Sequence, residues 1–467
     1  MADPRQRRRP GGRPPRAKPP VDAARRAAYD VCRAVRVDDA YTNLVLPHVL
    51  RQHGLSGRDA AFATELASGT LRRRGTYDAV LTACLDRPLA KVEAKVLDIL
   101  RLGAHQLLSM RVPAHAAIST SVDLARSRVG AGAAGFVNAV LRRVGEHDLA
   151  TWVRRVAPDA SDDPAGFASV AFSHPRWIVD ALSASLAATG AEDELDALLA
   201  ADNEPPRVVL VSRPGRSGRD ELPGEPTLLS PYGVVLDGGD PAAVPAVAEG
   251  RAGVQDEGSQ LVALALAGAA IEGRDERWLD VCAGPGGKAA LLAALADAVG
   301  ARLTANEVQP HRAGLVARAL AGAPGVETVL TGDGTRPAWR PGSFDRVLVD
   351  APCTGLGALR RRPESRWRRT PGDLVALAPL QRDLLAAAVD AVRPGGLVCY
   401  ATCSPVLAET RDVVEALLAS RPDVVLEDAG AVLDQVADAT GPLPGTLQLW
   451  PHRHRTDAMF VALLRRT

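Results

Sequence analysis

Two cysteines occupy positions where a thiol can react. Cys353 lies in Asp350-Ala351-Pro352-Cys353-Thr354-Gly355, behind the apolar run Phe344 to Val349, and Cys403 lies in Ala401-Thr402-Cys403-Ser404-Pro405, behind Gly396 to Tyr400. Each run predicts a buried strand, so both thiols emerge at strand carboxyl ends, on the side of an α/β sheet where ligands bind. A free thiol there can serve as a nucleophile, as a metal ligand or as inert packing. Packing alone gives no reason for the neighbouring Pro352 and Ser404. A metal site would draw on Cys399, Cys403, His452 and His454, but residues four apart on a strand are separated by about 13 Å. No ligand quartet with zinc spacing emerges, and no metal is expected.

A second site precedes the thiols. Trp278-Leu279-Asp280-Val281-Cys282 reads as a buried strand, followed by Ala283-Gly284-Pro285-Gly286-Gly287-Lys288 and the helix-forming stretch Ala289 to Ala298. Strand, glycine turn and helix form the first unit of a nucleotide-binding α/β fold. Glycines let a cofactor approach the backbone N–H groups at the helix start, where negative charge is favoured and a carboxylate would fit. The spacing is not that of dinucleotide enzymes, and Ala289 after Lys288 lacks the hydroxyl with which a phosphate loop holds magnesium. The next strand, Arg302 to Ala305, ends at Asn306-Glu307, about 20 residues beyond the glycines, where an acid would accept from a ribose hydroxyl pair. A third strand, Glu327 to Leu330, ends at Thr331-Gly332-Asp333, where a carboxylate can accept from an adenine amino group. Either acid alone could be a helix cap. Two at successive strand ends favour the binding reading.

These elements sit in a chain of 467 residues, long enough for two or three domains at roughly 100 to 200 residues each. Apolar residues make up 46% and charged residues 24%, the balance of a globular protein. No run approaches the about 18 apolar residues of a membrane span, and no signal-peptide pattern opens the sequence. Six cysteines without paired spacings argue against a disulfide framework. Reduced thiols and a cytoplasmic location are expected.

Formal charge is balanced, 56 basic residues against 55 acidic, so its local distribution carries the information. Met1 to Pro20 is an arginine- and proline-rich stretch expected to be a disordered basic tail, able to meet phosphates or simply to solvate. Val21 to about Val144 shows no strand signal and places Val92, Val96, Leu97 and Leu100 at helical spacing, which predicts a bundle. Its clusters Arg72-Arg73-Arg74 and Arg142-Arg143 could line a face that meets a phosphate backbone, or be ordinary solvated helix ends. Between Asp148 and Gly253 a small mixed subdomain is expected, with a strand at Arg207 to Ser212 and a helix near Trp177 to Ala188. From Gln255 onward, strands alternate with helices as in a parallel sheet covered by helices. Arg360, Arg361, Arg362, Arg366, Arg368 and Arg369, with Trp367 among them, predict a basic loop that either binds phosphate and stacks a base or is solvated.

Taken together, LDVCAGPGGK, DAPCTGLG and YATCSP resemble the RNA cytosine-C5 methyltransferases of the RsmB (Sun, NOP2/NSUN-like) type. FSHPRWIV from Phe172, VQDEGSQL from Val254 and LWPHRHRTDAMFVALLRR from Leu449 extend the likeness, and GFVNAVLRR at Gly135 to Arg143 resembles a NusB-like RNA-binding domain. The resemblance implies a helical NusB-like bundle over residues 21–147, a mixed α/β connector over 148–253 that contacts RNA, and a Rossmann-like class I methyltransferase over 254–467. It implies S-adenosylmethionine as cofactor and 16S ribosomal RNA as substrate, with a monomer as the default. Cytosine C5 becomes nucleophilic only after a thiolate adds to C6, so one cysteine must attack. By resemblance Cys403 is that nucleophile and Cys353 helps to remove the C5 proton. Asp350 would hold N3 and the amino group of the base, with a second role at the cofactor. Cys282, Ala283, Gly284, Pro285, Gly286, Gly287, Lys288, Glu307, Asp333 and Asp350 form the expected cofactor set. Gly284 and Ala289 replace the usual Ala and Thr, with consequences confined to cofactor affinity. A tRNA or 23S target is the first alternative. An inactive RNA-binding assembly or antitermination protein is the second, opposed by the intact Cys353, Cys403, Asp350, Glu307 and glycine turn.

Overall fold

Apolar residues recurring every three to four positions bury one face of each helix in the front part of the chain. A computed structural model describes residues 22–467, and the expected basic tail lies outside them. The bundle comprises α1 (Ala23–Val37), α2 (Thr42–Gln52), α3 (Gly57–Arg72), α4 (Arg74–Cys84), α5 (Ala94–Leu108), α6 (Ala114–Arg128) and α7 (Ala131–Val144). Leu66, Tyr77, Leu81, Ile99, Leu100, Val137 and Leu141 meet in its core.

After the bundle, the helices Leu149–Val156, Pro164–Ala171, Arg176–Ala187 and Leu195–Ala201 lead into a small sheet. Its strands are β1 (Val209–Val211), β2 (Glu225–Pro226), β3 (Gly233–Val235) and β4 (Gly253–Val254), in the order β2-β3-β1-β4 with every pairing antiparallel. Only the first was expected from sequence. The others span two or three residues, too few for alternation to show.

The large sheet contains β5 (Arg277–Asp280), β6 (Arg302–Glu307), β7 (Val326–Thr331), β8 (Phe344–Asp350), β9 (Val392–Thr402), β10 (Val424–Glu427), β11 (Leu447–Gln448) and β12 (Phe460–Arg466). Its order is β10-β12-β9-β8-β5-β6-β7, with β11 paired to β12. Strands β5 to β9 are parallel, and the order reverses beside β5, the crevice where such sheets bind ligands. Helices Glu257–Gly268 and Gly287–Ala298 cover one face, and Pro371–Ala391 and Arg411–Ser420 the other. The sheet is not wholly parallel as expected: β12 runs antiparallel between β9 and β10. Its apolar run, Phe460 to Leu464, is buried on both faces, so its pattern carries no mark of direction.

The loop after β8 joins all three parts, and here the basic-loop expectation is overturned. Arg366 is fully buried and donates to the backbone carbonyls of Arg72, Ser173 and Asp202 and to Asn203 Oδ1, at 2.9 to 3.2 Å. Arg368 donates to Val35 O and Ala40 O, Glu364 accepts from Thr42 N and Oγ1, and Arg361 is held by Asp457. Arg360 donates to Arg455 O and Arg369 to Thr354 O. Trp367 lies against Gly75, where a Cβ would come within 2.4 Å of its ring. Planar guanidinium donors that meet several carbonyls at once make this loop an internal fastener, neither a free phosphate platform nor a solvated loop.

The glycine turn makes one testable demand. Gly286 has φ +113°, and a Cβ there would lie 2.6 Å from the Ala319 Cβ. Gly286→Ala is expected to destabilise the protein by about 1–3 kcal/mol, measured as a lower urea midpoint. An unchanged midpoint would show that the turn can relax.

Candidate active site

The turn between β5 and the helix Gly287–Ala298 is tied down from below. Cys282 N donates to Asp280 Oδ1 at 3.2 Å, Ala283 N to Asn306 O, and Gly284 N to Glu307 Oε2 at 3.1 Å. Glu307 also accepts from Gln309 N at 3.0 Å and sits 3.6 Å from Arg312. A Cβ on Gly284 would fall 2.1 Å from Glu307 Oε2, so the glycine lets the carboxylate fold back onto the turn, while Gly287 faces open space. Asp333 is exposed on the next strand end and caps its own turn through Thr335 N and Oγ1, which holds its carboxyl below the usual range.

This cradle fits a methionine-derived nucleoside cofactor. Gly287 opens the helix without a side chain in the way, and Asp280 carries a buried Oδ2 with no hydrogen-bond partner. An orphaned carboxylate oxygen in so buried a place calls for a donor such as an ammonium group. Burial, then the nearby Asp350 charge, pushes the Asp280 carboxyl up to about 8. Sequence reasoning did not single out Asp280. The signal was an acid inside an otherwise apolar strand.

Across β8 and β9 the two thiols meet. Cys353 Sγ and Cys403 Sγ are 3.4 Å apart, and Lys288 Nζ donates to Asp350 Oδ2 at 2.9 Å and to Ser259 Oγ at 3.3 Å. The thiols are unequal. A hydrogen bond from Cys353 holds Cys403 below the ordinary thiol range; burial and Asp350 oppose it and the Lys288 charge assists. That same bond, with burial, holds Cys353 well above the range. Burial draws the Lys288 ammonium down, but Asp350 and Cys403 outweigh it and keep it above its usual value. The pair is therefore polarised, with Cys403 the more readily deprotonated sulfur and Cys353 the more readily protonated one, beside a lysine–carboxylate pair.

The Cys353 turn is clamped by residues that the sequence did not announce. Buried Glu409 accepts from Thr354 N at 2.7 Å and from Thr354 Oγ1, and Gln381 Nε2 donates to Pro352 O at 2.9 Å. Gly357 N donates to Cys403 O, and Ala458 N to Gly357 O, which joins the loop to the second thiol. Asp457 and Asp256 lie beneath it: Asp256 Oδ1 accepts from Asp457 N at 3.0 Å. The other cysteines are packing groups. Burial raises Cys32 and Cys399 out of the reactive range, and Cys282 is likewise raised by burial and then by Asp280. His452 pairs with Glu194 and His454 with Ala437 O, and no metal-binding group of side chains occurs among the described residues.

Because Lys288 favours the charged sulfur, Lys288→Met should raise the Cys403 pKa and move the acid limb of its alkylation profile to higher pH. The check is the rate of iodoacetamide modification at Cys403 against pH, by mass spectrometry. Coincident profiles would remove Lys288 from the activation of the thiol.

Residues 270–465 match the family described as 16S rRNA methyltransferase RsmB/F, and residues 22–146 match the NusB family. Putative methyltransferase Rv1407 of Mycobacterium tuberculosis (strain ATCC 25618 / H37Rv) is 53% identical over 461 residues, covering 98% of this chain and 99% of that relative. The probable ribosomal RNA small subunit methyltransferase B of Synechocystis sp. (strain ATCC 27184 / PCC 6803 / Kazusa) is 32% identical over 467 residues, covering 95% of this chain and 99% of that protein. The crystal structure of PH0851 superposes with a TM-score of 0.77 at 20% identity, covering 96% of this chain and 100% of that one, which speaks for the fold. No helix among the described residues is long and apolar enough to cross a membrane. With a NusB-family domain at its front, a methyltransferase sheet behind it and near full-length likeness to these relatives, the chain belongs to the RsmB/F family of S-adenosylmethionine-dependent RNA methyltransferases.

Proposed function

We propose that this enzyme methylates carbon 5 of a cytosine in 16S rRNA through a covalent bond between Cys403 and C6 of the base. The observation that carries the reading is the thiol pair: a sulfur held below the ordinary thiol range, 3.4 Å from a second sulfur held above it, beside the Lys288–Asp350 pair. We divide the chain into an RNA-binding bundle at 21–147, a connector at 148–253 that also contacts RNA, and a catalytic domain at 254–467, acting as a monomer in the reducing cytoplasm.

Cys282 to Lys288 would hold the cofactor's amino-acid end, with Asp280 Oδ2 as acceptor for its ammonium. Glu307 would take the ribose hydroxyls and Asp333 the adenine amino group. When bound, S-adenosylmethionine supplies an electrophilic methyl group. The remaining steps belong to the protein. Asp350 holds N3 and the amino group of an extruded cytosine, since C6 is shielded while the base is stacked. The Cys403 thiolate adds to C6, its electron pair forming the carbon–sulfur bond while the C5=C6 pair shifts toward N3, so that C5 becomes an enamine carbon that would take the methyl group and release S-adenosylhomocysteine. Once Cys403 is bonded to carbon, the largest of the influences that kept Cys353 protonated is gone, and burial is the next. Cys353 then loses its proton to solvent, removes the C5 proton, and the C6–sulfur bond breaks to return the Cys403 thiolate.

The test is methyl transfer from labelled S-adenosylmethionine to unmodified 16S rRNA, followed by nucleoside analysis. Label in 5-methylcytidine is the expected result. Label only in tRNA or 23S transcripts moves the target, and RNA binding without transfer to any of them ends the catalytic reading.

A further inference from the structure

The two sulfurs are placed for a chemistry that methyl transfer does not require. Strands β8 and β9 are parallel neighbours with Asp350 opposite Ala401, and each chain turns into its thiol within a few residues of that pairing. The two segments stay together beyond the strand ends. Thr354 and Ser404, the residues that follow the thiols, bring their hydroxyl oxygens to 3.1 Å, and Gly357 N donates to Cys403 O at 2.9 Å. Buried Glu409 holds Thr354 from the other side, at 2.7 Å from its N. Cys353 Sγ and Cys403 Sγ are thus fixed 3.4 Å apart, and both residues are partly exposed. Neighbouring strands, about 4.8 Å apart, fall within the Cα separation that a disulfide accepts, about 4.4–6.8 Å. Rotation of the two side chains closes what remains of the gap.

The pair is also divided chemically in the way that such a bond needs. Thiols that peroxides oxidise are accessible, readily ionised and set beside a second cysteine able to resolve the first product. Cys403 meets all three conditions: it is the more readily deprotonated sulfur, it is partly exposed, and Cys353 is its neighbour. The remaining cysteines do not. Cys32, Cys84 and Cys399 are buried, and burial, then Asp280, holds the Cys282 thiol well above the usual range.

We propose that Cys403 and Cys353 form a reversible modification site for hydroperoxides, in which Cys353 resolves the oxidised Cys403 as an intramolecular disulfide. The Cys403 thiolate attacks one peroxide oxygen and the O–O bond breaks. Its sulfur becomes a sulfenic acid, and the other oxygen leaves as hydroxide or alkoxide and takes a proton from solvent. The Cys353 sulfur then attacks the Cys403 sulfur. The S–O bond breaks as the sulfur–sulfur bond forms, and the leaving hydroxide departs with the Cys353 proton as water. The two thiols together lose two electrons and two protons, which the peroxide gains. A small thiol reductant restores both cysteines by exchange. On the function proposed above, the disulfide removes nucleophile and base together. It also stops Cys403 from passing on to a sulfinic acid, which thiols do not reduce.

The test follows the sulfurs by mass. The full chain, reduced and freed of reductant, is treated with hydrogen peroxide and its remaining thiols are capped with iodoacetamide under denaturing conditions. Its peptides are then analysed by mass spectrometry without reduction. The expected result is a Cys353 peptide joined to a Cys403 peptide, with the other four cysteines capped. Methyl transfer by the same sample should fall in proportion to the joined fraction and return with dithiothreitol. In Cys353→Ala, shown to be folded by a thermal melt, Cys403 should instead reach the sulfinic acid, which dithiothreitol does not reverse. A parent chain whose Cys353 and Cys403 are both capped after excess peroxide would overturn the proposal, as would one whose Cys403 becomes a sulfinic acid without joining Cys353. The mass readout does not depend on methyl transfer: a chain that joins the two cysteines but methylates no RNA when reduced keeps this site and loses the cytosine reading.

Discussion

Replacing Cys403 with alanine is expected to lower methyl transfer by on the order of 10⁴-fold or more and to leave no covalent RNA adduct. On the proposed mechanism Cys403 alone supplies the attacking electron pair. Cys353 is held as a thiol well above its ordinary pKa, and Cys282 is raised by burial. Cys353→Ala should behave differently. On the proposed roles it retains the nucleophile and loses the base, so turnover should fall by ~10²–10⁴-fold while a denaturation-resistant adduct accumulates. It also deletes the hydrogen bond that holds Cys403 low, so the adduct should form more slowly at pH 7 than in the parent and recover as pH rises. Gel retardation of labelled RNA under denaturing conditions, at pH 7 and pH 9, separates these outcomes. An adduct in Cys403→Ala that is absent from Cys353→Ala would exchange the two roles, and an adduct in neither would require chemistry without a covalent bond.

The second large effect concerns stability. Arg366→Met should cost about 3–5 kcal/mol, because the substitution strips the partner from three carbonyls and an amide oxygen in a site with no water-facing surface. Burial already lowers the Arg366 pKa to about 10, so the guanidinium is tolerated only for the bonds it makes. Arg142, exposed on α7, is the control: Arg142→Met should change stability by less than about 0.5 kcal/mol. Urea denaturation measures both. A loss below about 1 kcal/mol at Arg366 would mean that the carbonyls find other donors and that the fastening is redundant.

Where sequence reading succeeded and failed follows from how far apart the interacting residues lie. The glycine turn and the two cysteine contexts are local: strand, turn and reactive side chain fall within a few residues, so composition and order suffice. Bundle and sheet were likewise legible from periodicity, apart from the direction of β12 and the shortest strands. The arginine-rich loop was misread because a charge run has no local sign of burial. The partners of Arg366 lie 163 to 294 residues away in the chain. Asp280 and Glu409 went unnoticed for the same reason: an acid in an apolar run gains its meaning from a neighbouring strand or loop, here Asp350 and Thr354.

The fastening loop also sets how this protein can be cut. The segment that begins at Cys353 ends with Trp367 and Arg368 lodged among α1 and α4 of the bundle. Expressed without the bundle, the catalytic half would present a bare tryptophan and unpartnered guanidinium groups, and the segment that carries a reactive thiol would lose its anchor. The front and back of the chain are a single mechanical unit rather than interchangeable cassettes, and swapping the bundle for a foreign targeting domain would dismantle the catalytic loop along with the specificity it was meant to change.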